Sequence, residues 1–464
     1  MTPIILSAVL GLQLMTSSAT NPSSQLPPNL LAATNPSTTS QLQKVWYKLD
    51  NGSEIAVLPI VSLLSPSLQR VSIVTCWTAG AHHDPATSPG RTKLAAHMIP
   101  LIKNGDRPAR SYNEWQAFHG NQAEIRAGNR HTWIVESVAP AQLQEALSEV
   151  IGRFHQLEVL DKDVESAKNW FHLRNSRNRN PGNEQLTGEI LDRLDPLQSG
   201  PRIHQNLVQI ETDEVRRFIS ETFLPANTHI AIVGPFDPRP VLQMLEQQLA
   251  TIPQGKKLPA APAAVPDPGH ISSVMAKNPR QGVATRGWRV PLPGTNDALA
   301  LGLFIPRIKR VLQSSQGQCI WNPFKNPDVL LLSQQVAPGT PPLPSTIEEA
   351  LFRIDASFDF SITAPVEGKD LVAVTNSIGV LLGAHRVGDE VSMRNPLPVA
   401  EVLLLRKVFD MKTADLRNNF GRKSQVQLQN LREKYLDPTK SVSGSIAPAG
   451  ISDGKSSIQV NPRR

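Results

Sequence analysis

Cysteine is scarce in this chain, and long apolar runs are missing. Only Cys76 and Cys319 occur among 464 residues, and because they lie far apart in the sequence we expect two buried free thiols rather than a disulfide. No stretch reaches the ~20 apolar residues that a membrane-spanning helix requires. The G-x-S-x-G, P-loop and C-x-x-C patterns are also missing. The sequence therefore lacks the local patterns of α/β-hydrolases, P-loop nucleotide-binding proteins and dithiol redox proteins.

Charge is moderate and dispersed. The chain has 19% charged and 40% hydrophobic residues and a net charge of +7, a composition typical of globular proteins. The densest basic run is RNSRNRN at residues 174–180. It lies in no nucleic-acid-recognition motif, and we interpret it as the solvated face of a helix. We expect no nucleic-acid partner.

The amino-terminal segment has no charged residue before Lys44. An apolar run at residues 3–15 is followed by the small residues TSSAT, which predicts a signal peptide over residues 1–19. Residues 20–43 are rich in Ser, Thr, Asn and Pro and predict a flexible spacer. We expect export to the periplasm or the medium. The alternative is an uncleaved amino terminus that anchors the protein in a membrane.

Patterned sequence begins at about residue 44 and predicts a first domain over residues 44–255. VWYKLDNGSEIAVLPI indicates two strands joined by a turn at Asn51-Gly52. A helix is predicted from Pro89, with Ser88 as its N-cap, until Pro100 ends it. Hairpin strands, further helices and the buried strand THIAIVG follow. Helices among hairpins indicate an α+β domain with a largely antiparallel sheet.

A proline- and alanine-rich stretch, residues 256–274, predicts a linker. Residues 275–438 then show a similar order of elements, with a long helix in NDALALGLFIPRIKRVLQ and a strand in FRIDASFDFSITAP. They predict a second sheet-and-helix domain. The Ser-, Gly- and Pro-rich residues 439–464 predict a disordered tail. The expected fold class is α+β with two such domains.

Four segments, LDNGSEIAVL, TAGAHHDPATSPG, GNQAEIRAGNRHTW and FLPANTHIAIVGPFDP, follow one another along the first domain. They resemble, in turn, the opening hairpin, the loop before the metal helix, the substrate-edge strand, and the end of the first domain in the insulinase/pitrilysin peptidases (family M16). These are the inverted zincins, whose relatives include the mitochondrial processing peptidases. The resemblance implies the LuxS/MPP-like metallohydrolase fold.

The family's metal motif is H-x-x-E-H on a helix, in which two histidines bind zinc and the glutamate is the general base. The corresponding segment is KLAAH, which places Lys93 at the first ligand, Ala96 at the base and His97 at the second ligand. The third ligand, a glutamate on a later helix, falls by resemblance in residues 171–177, which contain no carboxylate. We expect a glutamate at Leu173 to restore it. Because catalytic zinc needs about three protein ligands and a lysine ammonium has no lone pair to donate, we expect no zinc, no other cofactor and no catalytic residue.

Two further sets of residues follow from the resemblance. A rebuilt zinc site would draw on His97, His172, His82 and His83, although the last two are expected in a solvated loop. A peptide-binding edge is expected where the family adds a peptide as an extra strand. Its residues are Asn121, Gln122, Ala123 and Glu124.

The leading hypothesis is an exported, non-catalytic homologue of inverted-zincin peptidases. It binds a peptide or an unfolded polypeptide and pairs with a second inverted-zincin half, which is either an active homologue or a copy of itself. One alternative is an active zinc metalloendopeptidase with a divergent site. The other is a structural scaffold of the cell envelope that keeps only the fold.

Overall fold

The computed structural model describes residues 46–60, 64–85, 87–120, 122–176, 181–195, 207–260, 266–273, 282–295, 297–313, 316–366, 396–411 and 424–447. All of these belong to one compact unit, Val45–Arg464. Within these ranges, no helix is long and apolar enough to cross a membrane. The predicted signal peptide and spacer lie outside the described residues.

The strands are β1 (Trp46–Lys48), β2 (Glu54–Pro59), β3 (Val71–Trp77), β4 (Lys103–Asn104), β5 (Glu124–Ala127), β6 (Thr132–Val138), β7 (Leu157–Glu158), β8 (Thr228–Gly234), β9 (Gly269–Ser273), β10 (Gly282–Arg289), β11 (Gly317–Asn322), β12 (Asn326–Val336) and β13 (Val442–Ile446). The helices are α1 (Arg91–Met98), α2 (Tyr112–Phe118), α3 (Leu143–Gly152), α4 (Asp161–Ser176), α5 (Pro181–Leu194), α6 (Thr212–Thr222), α7 (Pro238–Met244), α8 (Ala298–Gln313), α9 (Ile347–Thr363), α10 (Pro396–Val408) and α11 (Ser424–Lys434).

The first sheet has the strand order β1-β2-β8-β3-β6-β5. All neighbours are antiparallel except β2 and β8. The predicted opening hairpin is present, since β1 pairs with β2 and Gly52 at the turn has a φ of 83°, which glycine adopts without strain. One face of the sheet is covered by helices that include α1, α3 and α7, with buried clusters of Ile, Val, Leu and Trp side chains between.

The second sheet repeats the topology of the first. Its order is β11-β12-β10-β13-β9, and only β13 and β9 run parallel. Strands β9, β13, β10, β12 and β11 therefore correspond to β2, β8, β3, β6 and β5. In each sheet the strand that closes the repeat, β8 or β13, is preceded by a short turn of helix that starts at a proline, Pro225 or Pro438. The expected α+β fold with two largely antiparallel sheets is confirmed.

Each sheet receives one helix from the other half of the chain. Helix α5 packs against β9, β10 and β13 of the second sheet, and α10 packs across β3 and β8 of the first. Leu186, Ile190 and Leu194 of α5 form a buried cluster with Val442 and Ile446 of β13. The remaining face of the second sheet is covered by α8, α9 and α11. The predicted first-domain range contains the whole first sheet, but the predicted second-domain range lacks β9 and β13 of the second sheet. Each range also includes a helix that covers the other sheet.

Glycine allows α5 to approach the second sheet closely. A Cβ atom on Gly444 would lie 2.5 Å from Leu186 Cδ1, and one on Gly287 would lie 2.8 Å from Leu194 Cδ1. Real Cβ atoms do not come this close to neighbours. The glycine content near the carboxyl terminus thus serves close packing and is not a sign of disorder at this point.

Three sequence predictions about local structure were wrong. The predicted tail begins too early, because Val442–Ile446 is an inner strand of the second sheet. The predicted linker contains an edge strand, Gly269–Ser273. FRIDASFDFSITAP lies in helix α9 and not in a strand. There, Thr346 caps the helix by accepting a hydrogen bond from the Glu349 amide, and two glutamates occupy the first turn, which favours a helix start.

The cysteines are both free, and in the structure Cys76 is buried whereas Cys319, on edge strand β11, is half-buried. Burial raises the pKa of the Cys319 thiol to about 12. The prediction of free thiols is confirmed, and only Cys319 is less enclosed than expected.

A buried ionic network joins the two sheets. Arg289 of β10 places Nη1 3.1 Å from Asp195 Oδ2 and Nη2 2.6 Å from Asp328 Oδ2. His82 Nε2 lies 2.7 Å from the same oxygen of Asp195, and both of these side chains are fully buried. Burial alone would raise the pKa of Asp195, but its hydrogen bond and charge interaction with His82 and the charge of Arg289 lower it to about 2.

The tips of two corresponding hairpins meet beside this network. The Asn129 amide between β5 and β6 donates to the carbonyl of Lys325, 3.1 Å away, between β11 and β12. Phe324 of the second hairpin packs edge-on against Trp133 of the first, with ring centroids 5.2 Å apart. The two halves of the duplicated fold are thus in direct contact at equivalent positions.

We expect Arg289→Gln to destabilise the protein by about 3 kcal/mol, because it removes the cation that two buried carboxylates share, although Asp328 keeps Arg130 and Asp195 keeps His82 as partners. The matched control is Arg432→Gln, which removes a cation from the half-exposed pair with Asp359 and is expected to change the free energy of unfolding by less than about 1 kcal/mol. Urea unfolding followed by circular dichroism measures both. Equal losses in the two variants would contradict a structural role for the network.

Candidate functional site

Asp84 fixes the start of helix α1, on which the motif positions lie. Its carboxylate accepts hydrogen bonds from the amide of Gly90 (2.7 Å), the amide of Thr92 (2.8 Å) and the Thr92 hydroxyl (2.6 Å). Burial raises the pKa of Asp84 to about 6 in spite of these bonds. The predicted N-cap, Ser88, was wrong: Gly90 occupies the cap position, and Asp84 supplies the acceptor from outside the helix.

His97 is enclosed by aromatic rings. Its imidazole stacks on Trp170 of α4 with ring centroids 4.2 Å apart, and the Phe171 and Tyr112 rings lie at 5.2 and 5.8 Å. The residue is 5% exposed. Burial and, less strongly, the Arg174 cation lower the pKa of His97 to about 4, so that the imidazole is neutral at neutral pH.

Two cations lie against the same aromatic rings. Lys93 Nζ is 5.1 Å from the centre of the Phe171 ring, and Arg174 Cζ is 5.0 Å from that of Trp170; both distances are within the range of cation–π attraction. The position of the general base is occupied by the buried methyl group of Ala96. One neutral imidazole, an ammonium and a guanidinium do not fit a zinc ion, because zinc needs several electron-pair donors and repels added positive charge.

The later helix lies where the resemblance places it, since α4 packs on α1. The position chosen for the lost third ligand was wrong. Leu173 is 51% exposed, whereas Trp170 and Phe171 contact His97. A side chain at 174, one turn after Trp170, extends toward the same rings. Arg177 lies outside the described residues.

The other histidines proposed for a rebuilt site do not join His97. His82 is paired with Asp195 and fully buried, so the prediction of a solvated side chain was wrong. His83 Nε2 lies 3.1 Å from the carbonyl oxygen of Pro259, and His172 is exposed. Within the described ranges, no three His, Cys, Asp or Glu side chains are placed to hold one metal ion.

Of the residues of the expected peptide-binding edge, Glu124 begins β5, the last strand of the first sheet, and Gln122 and Ala123 directly precede it. Gln122 is exposed and Ala123 is buried, whereas Glu124 is half-exposed and pairs with Arg126 at 2.8 Å. Asn121 lies outside the described residues. Arg126 also binds Glu401 of α10 at 2.6 Å, which holds the strand against the exchanged helix.

Gln116 connects this edge to the aromatic rings around His97. Its Nε2 donates to the Tyr112 hydroxyl (3.2 Å) and to the carbonyl of Ala123 (3.3 Å). Sequence reasoning missed Tyr112, Trp170 and Arg174. The available signal was the sequence WFHLR at residues 170–174, which has two adjacent aromatic residues and an arginine where a carboxylate was expected.

Replacing His97 tests its environment through the pH dependence of stability. The pKa of about 4 is below the unfolded value of ~6.5. The unfolded chain therefore binds more protons between these pH values, and stability falls as the pH drops from 6.5 toward 4. We expect His97→Phe to remove about 2 kcal/mol of the loss that the wild type suffers between pH 7.5 and pH 5.

Urea unfolding at the two pH values measures this difference. A residual slope is expected in the variant, because burial also lowers the pKa of His131, to about 3. His172→Phe, which changes an exposed imidazole, serves as the control and should unfold with the pH dependence of the wild type. The same slope in His97→Phe and the wild type would contradict the buried, neutral state of His97.

Comparison with known proteins agrees with this fold. Residues 209–305 match the family model described as the Peptidase M16 inactive domain. No sequence among the curated proteins matches the chain.

Several solved structures have similar folds at low sequence identity. A protease from Helicobacter pylori has a TM-score of 0.70 at 14% identity, over 87% of this chain and 99% of that one. A peptidase M16 inactive domain from Pseudomonas fluorescens gives 0.66 at 14% identity, over 87% and 97%. The first half of the periplasmic protease PqqL from Escherichia coli gives 0.60 at 14% identity, over 87% and 92%, whereas the match covers 45% of whole PqqL. Residues 209–305 thus match the M16 inactive-domain model, and the fold of the chain is similar to those of the solved M16 peptidase structures.

Proposed function

We propose that this chain is a non-catalytic M16 homologue that binds an extended peptide or unfolded polypeptide and pairs with a second M16 half. The observation that carries the proposal is the state of His97. The one remaining motif residue is packed between aromatic rings, with Lys93 in the place of the first ligand. Without a carboxylate at position 96, nothing in the motif accepts a proton from an attacking water.

Peptide binding is supported by the edge of the first sheet. Strand β5 has a partner on one side only, β6, among the described strands, and an extended peptide can add to such an edge through main-chain hydrogen bonds. Arg126 ties the strand to α10 and α2 supports it through Gln116, so the edge is held in place before a ligand arrives. A preorganised edge loses less entropy on binding.

Pairing is supported by size and by surface composition. The match to PqqL covers its first half but less than half of the whole protein, so the fold of this chain corresponds to one half. Phe352 and Phe360 lie two turns apart on α9 and are 70% and 60% exposed. We propose that both side chains belong to the pairing surface, because contiguous exposed apolar area is typical of interaction sites. The partner would be an active homologue or a second copy.

Export to the periplasm or the medium is part of the proposal. It is supported by the signal-like residues 1–19 and by the periplasmic PqqL, whose first half has a similar fold. An uncleaved membrane anchor is the alternative for the amino terminus. For function, the alternatives are an active metallopeptidase with a divergent site and an envelope scaffold.

Zinc content separates the proposal from the divergent metallopeptidase. Because Lys93 and Ala96 remove a ligand and the base, we expect the purified, dialysed protein to contain well under one zinc per chain by plasma mass spectrometry. Stoichiometric zinc that survives dialysis and is lost in His97→Ala would overturn the non-catalytic proposal.

A rebuilt site would test the geometry around His97. We expect zinc affinity to appear when Lys93→His and Ala96→Glu are combined with Trp170→Ala and Arg174→Glu, because these changes restore the donors and remove the covering ring. The matched control carries Leu173→Glu in place of Arg174→Glu and should bind zinc more weakly, since position 173 faces away. Equal affinities would show that the third-ligand position is misassigned.

Light scattering after size exclusion, at micromolar concentration, tests pairing. We expect a dimer, alone or with an active M16 homologue, that dissociates when Phe352→Glu and Phe360→Glu are combined. The control combines Leu68→Glu and Val208→Glu, two other exposed apolar positions, and should leave the dimer intact. A strictly monomeric protein that pairs with no M16 half would favour the scaffold alternative.

A further inference from the structure

A cavity of about 200 Å³ lies at the end of the first sheet, where β3 begins and β6 ends. Its wall is formed in part by Arg70, just before β3, by Phe118 and Gly120 at the end of α2, and by Val138 and Ala139 at the end of β6. Gly120 is exposed, so the cavity is open to solvent on that side. The described residues that line it include one cation, Arg70, and no carboxylate.

The guanidinium of Arg70 has donors to spare. Its Nη1 donates to the carbonyl of the preceding residue, Gln69, 3.1 Å away. Among the described residues, no carboxylate pairs with the group, and Nε and Nη2 have no acceptor. Arg70 is half-buried, and a charge that is partly removed from water usually has a partner. The cavity therefore has an unused capacity for an anion.

Gly120 leaves one edge of this guanidinium uncovered. A Cβ atom at position 120 would lie 3.5 Å from Arg70 Nε, 3.6 Å from Nη2 and 3.9 Å from Cζ. Because this point is nearer to both nitrogens than to the carbon between them, it lies toward the edge of the group and not above the centre of its face. A carboxylate that accepts a hydrogen bond from each nitrogen places its carbon at a similar distance. No side chain of residue 120 occupies that position.

The wall of the cavity is held in place before a ligand arrives. A Cβ atom on Gly234 of β8 would lie 3.0 Å from the Arg70 carbonyl oxygen and 2.7 Å from Val71 Cα, so the two backbones are in direct contact. Gln142 also lines the cavity, and its Oε1 accepts a hydrogen bond from the Ala139 amide at 3.4 Å. Within the part of the chain that the structure describes, the Gln142 Nε2 group has no acceptor. A fixed wall with available donors reduces the entropy lost on binding.

We propose that this cavity binds a carboxylate, with Arg70 as the anchoring cation and with Phe118, Val138 and Ala139 against the apolar part of the ligand. Two sources offer this chemistry, a free small organic acid and the last residue of a polypeptide chain. The cavity is smaller than the roughly 300–1,000 Å³ of pockets for drug-sized ligands, so the bound group is about the size of one amino acid. The site does not involve β5, and the inference does not depend on the proposed peptide binding there.

The single cation favours a carboxylate over a phosphate group. A carboxylate carries one negative charge, which one guanidinium balances, and its two oxygens match the two nitrogens of the guanidinium edge. A phosphate carries nearly two negative charges at neutral pH, and the lining residues supply no second cation to balance them.

A ligand-detected NMR titration with the full chain tests the site. The probes are N-acetyl-leucine and an acetylated hexapeptide, Gly-Gly-Ser-Gly-Gly-Leu, each prepared with a free carboxyl group and as the carboxamide. Inorganic phosphate is titrated separately. We expect the wild type to bind at least one of the free acids about tenfold more tightly than its amide, because the amide loses the charge-assisted hydrogen bonds. Phosphate should bind more weakly than that acid.

Substitutions at two positions test the geometry. Arg70→Gln should abolish the preference for the acid, and Arg70→Lys should reduce it, because an ammonium lacks the planar edge that binds both oxygens. Gly120→Ala should weaken acid binding, since its methyl group takes the place of the carboxylate. Gly339→Ala is the matched control, because Gly339 has a φ of 71° and a Cβ atom there meets nothing within 4 Å. Arg217→Gln, at an exposed position on α6, controls for the loss of one charge.

Each outcome bears on the proposal. Tighter binding of N-acetyl-leucine than of the hexapeptide acid assigns a free small acid as the source, and equal or tighter binding of the hexapeptide acid assigns a chain end. Equal affinities for acids and amides, tighter binding of phosphate, an unchanged preference in Arg70→Gln, or binding of no probe would overturn the carboxylate site. The comparison of acid with amide in the wild type requires no variant, so it decides even if a variant fails to fold.

Discussion

Arg289 binds Asp195 and Asp328 at once, and His82, Asn129 and Arg130 of the first half of the chain contact the same two carboxylates. Asp195 follows the end of α5, the helix that covers the second sheet, and Asp328 lies in β12 of that sheet. His82, from the loop that leads to the motif helix, completes the group. Buried charges tolerate few geometries, because each must satisfy the others without help from water. The same contact therefore positions the second sheet, the exchanged helix and the loop in front of α1.

Close packing surrounds His97, at the position where the resemblance places the second zinc ligand. If histidine and glutamate ligands were simply removed, an open polar space would remain, and protein interiors rarely leave such space unfilled. Here the Trp170 and Phe171 rings fill it. Lys93 and Arg174 place their cations 5.1 and 5.0 Å from the centres of the Phe171 and Trp170 rings. The surroundings of His97 are therefore aromatic and positively charged.

The sequence predicted features that depend on local chemistry and missed those that depend on distant contacts. The Asn51-Gly52 hairpin and the strand THIAIVG have local signals, and both are present. The prediction of a strand in FRIDASFDFSITAP was wrong because its apolar residues alternate with polar ones, as they do in a strand. These apolar residues are Phe352, Ile354, Phe358 and Phe360. The N-cap at Thr346 and burial of Ile354 and Phe358 on one face make it a helix, which leaves Phe352 and Phe360 in solvent.

At the site, alignment with the motif correctly placed position 97 on a helix facing a later helix. The side chains that contact His82 and His97 could not be predicted from the motif. His82 and Asp195 are separated by 113 residues, and Trp170 reaches His97 only because α4 packs on α1. For the adjacent histidines His82 and His83, the sequence alone predicted side chains exposed to solvent in a loop. Only the duplicated, interlocked fold brings a buried aspartate to one of them.

The exchange of α5 and α10 has a consequence for how the two halves of this chain originated. Each helix follows the same point in the repeated topology, and each covers the sheet of the other repeat. A dimer of one ancestral repeat in which two copies swapped this helix would, after the genes were joined end to end, give this arrangement. Neither repeat expressed alone would then cover its own sheet. We therefore expect the two repeats to fold only as a pair.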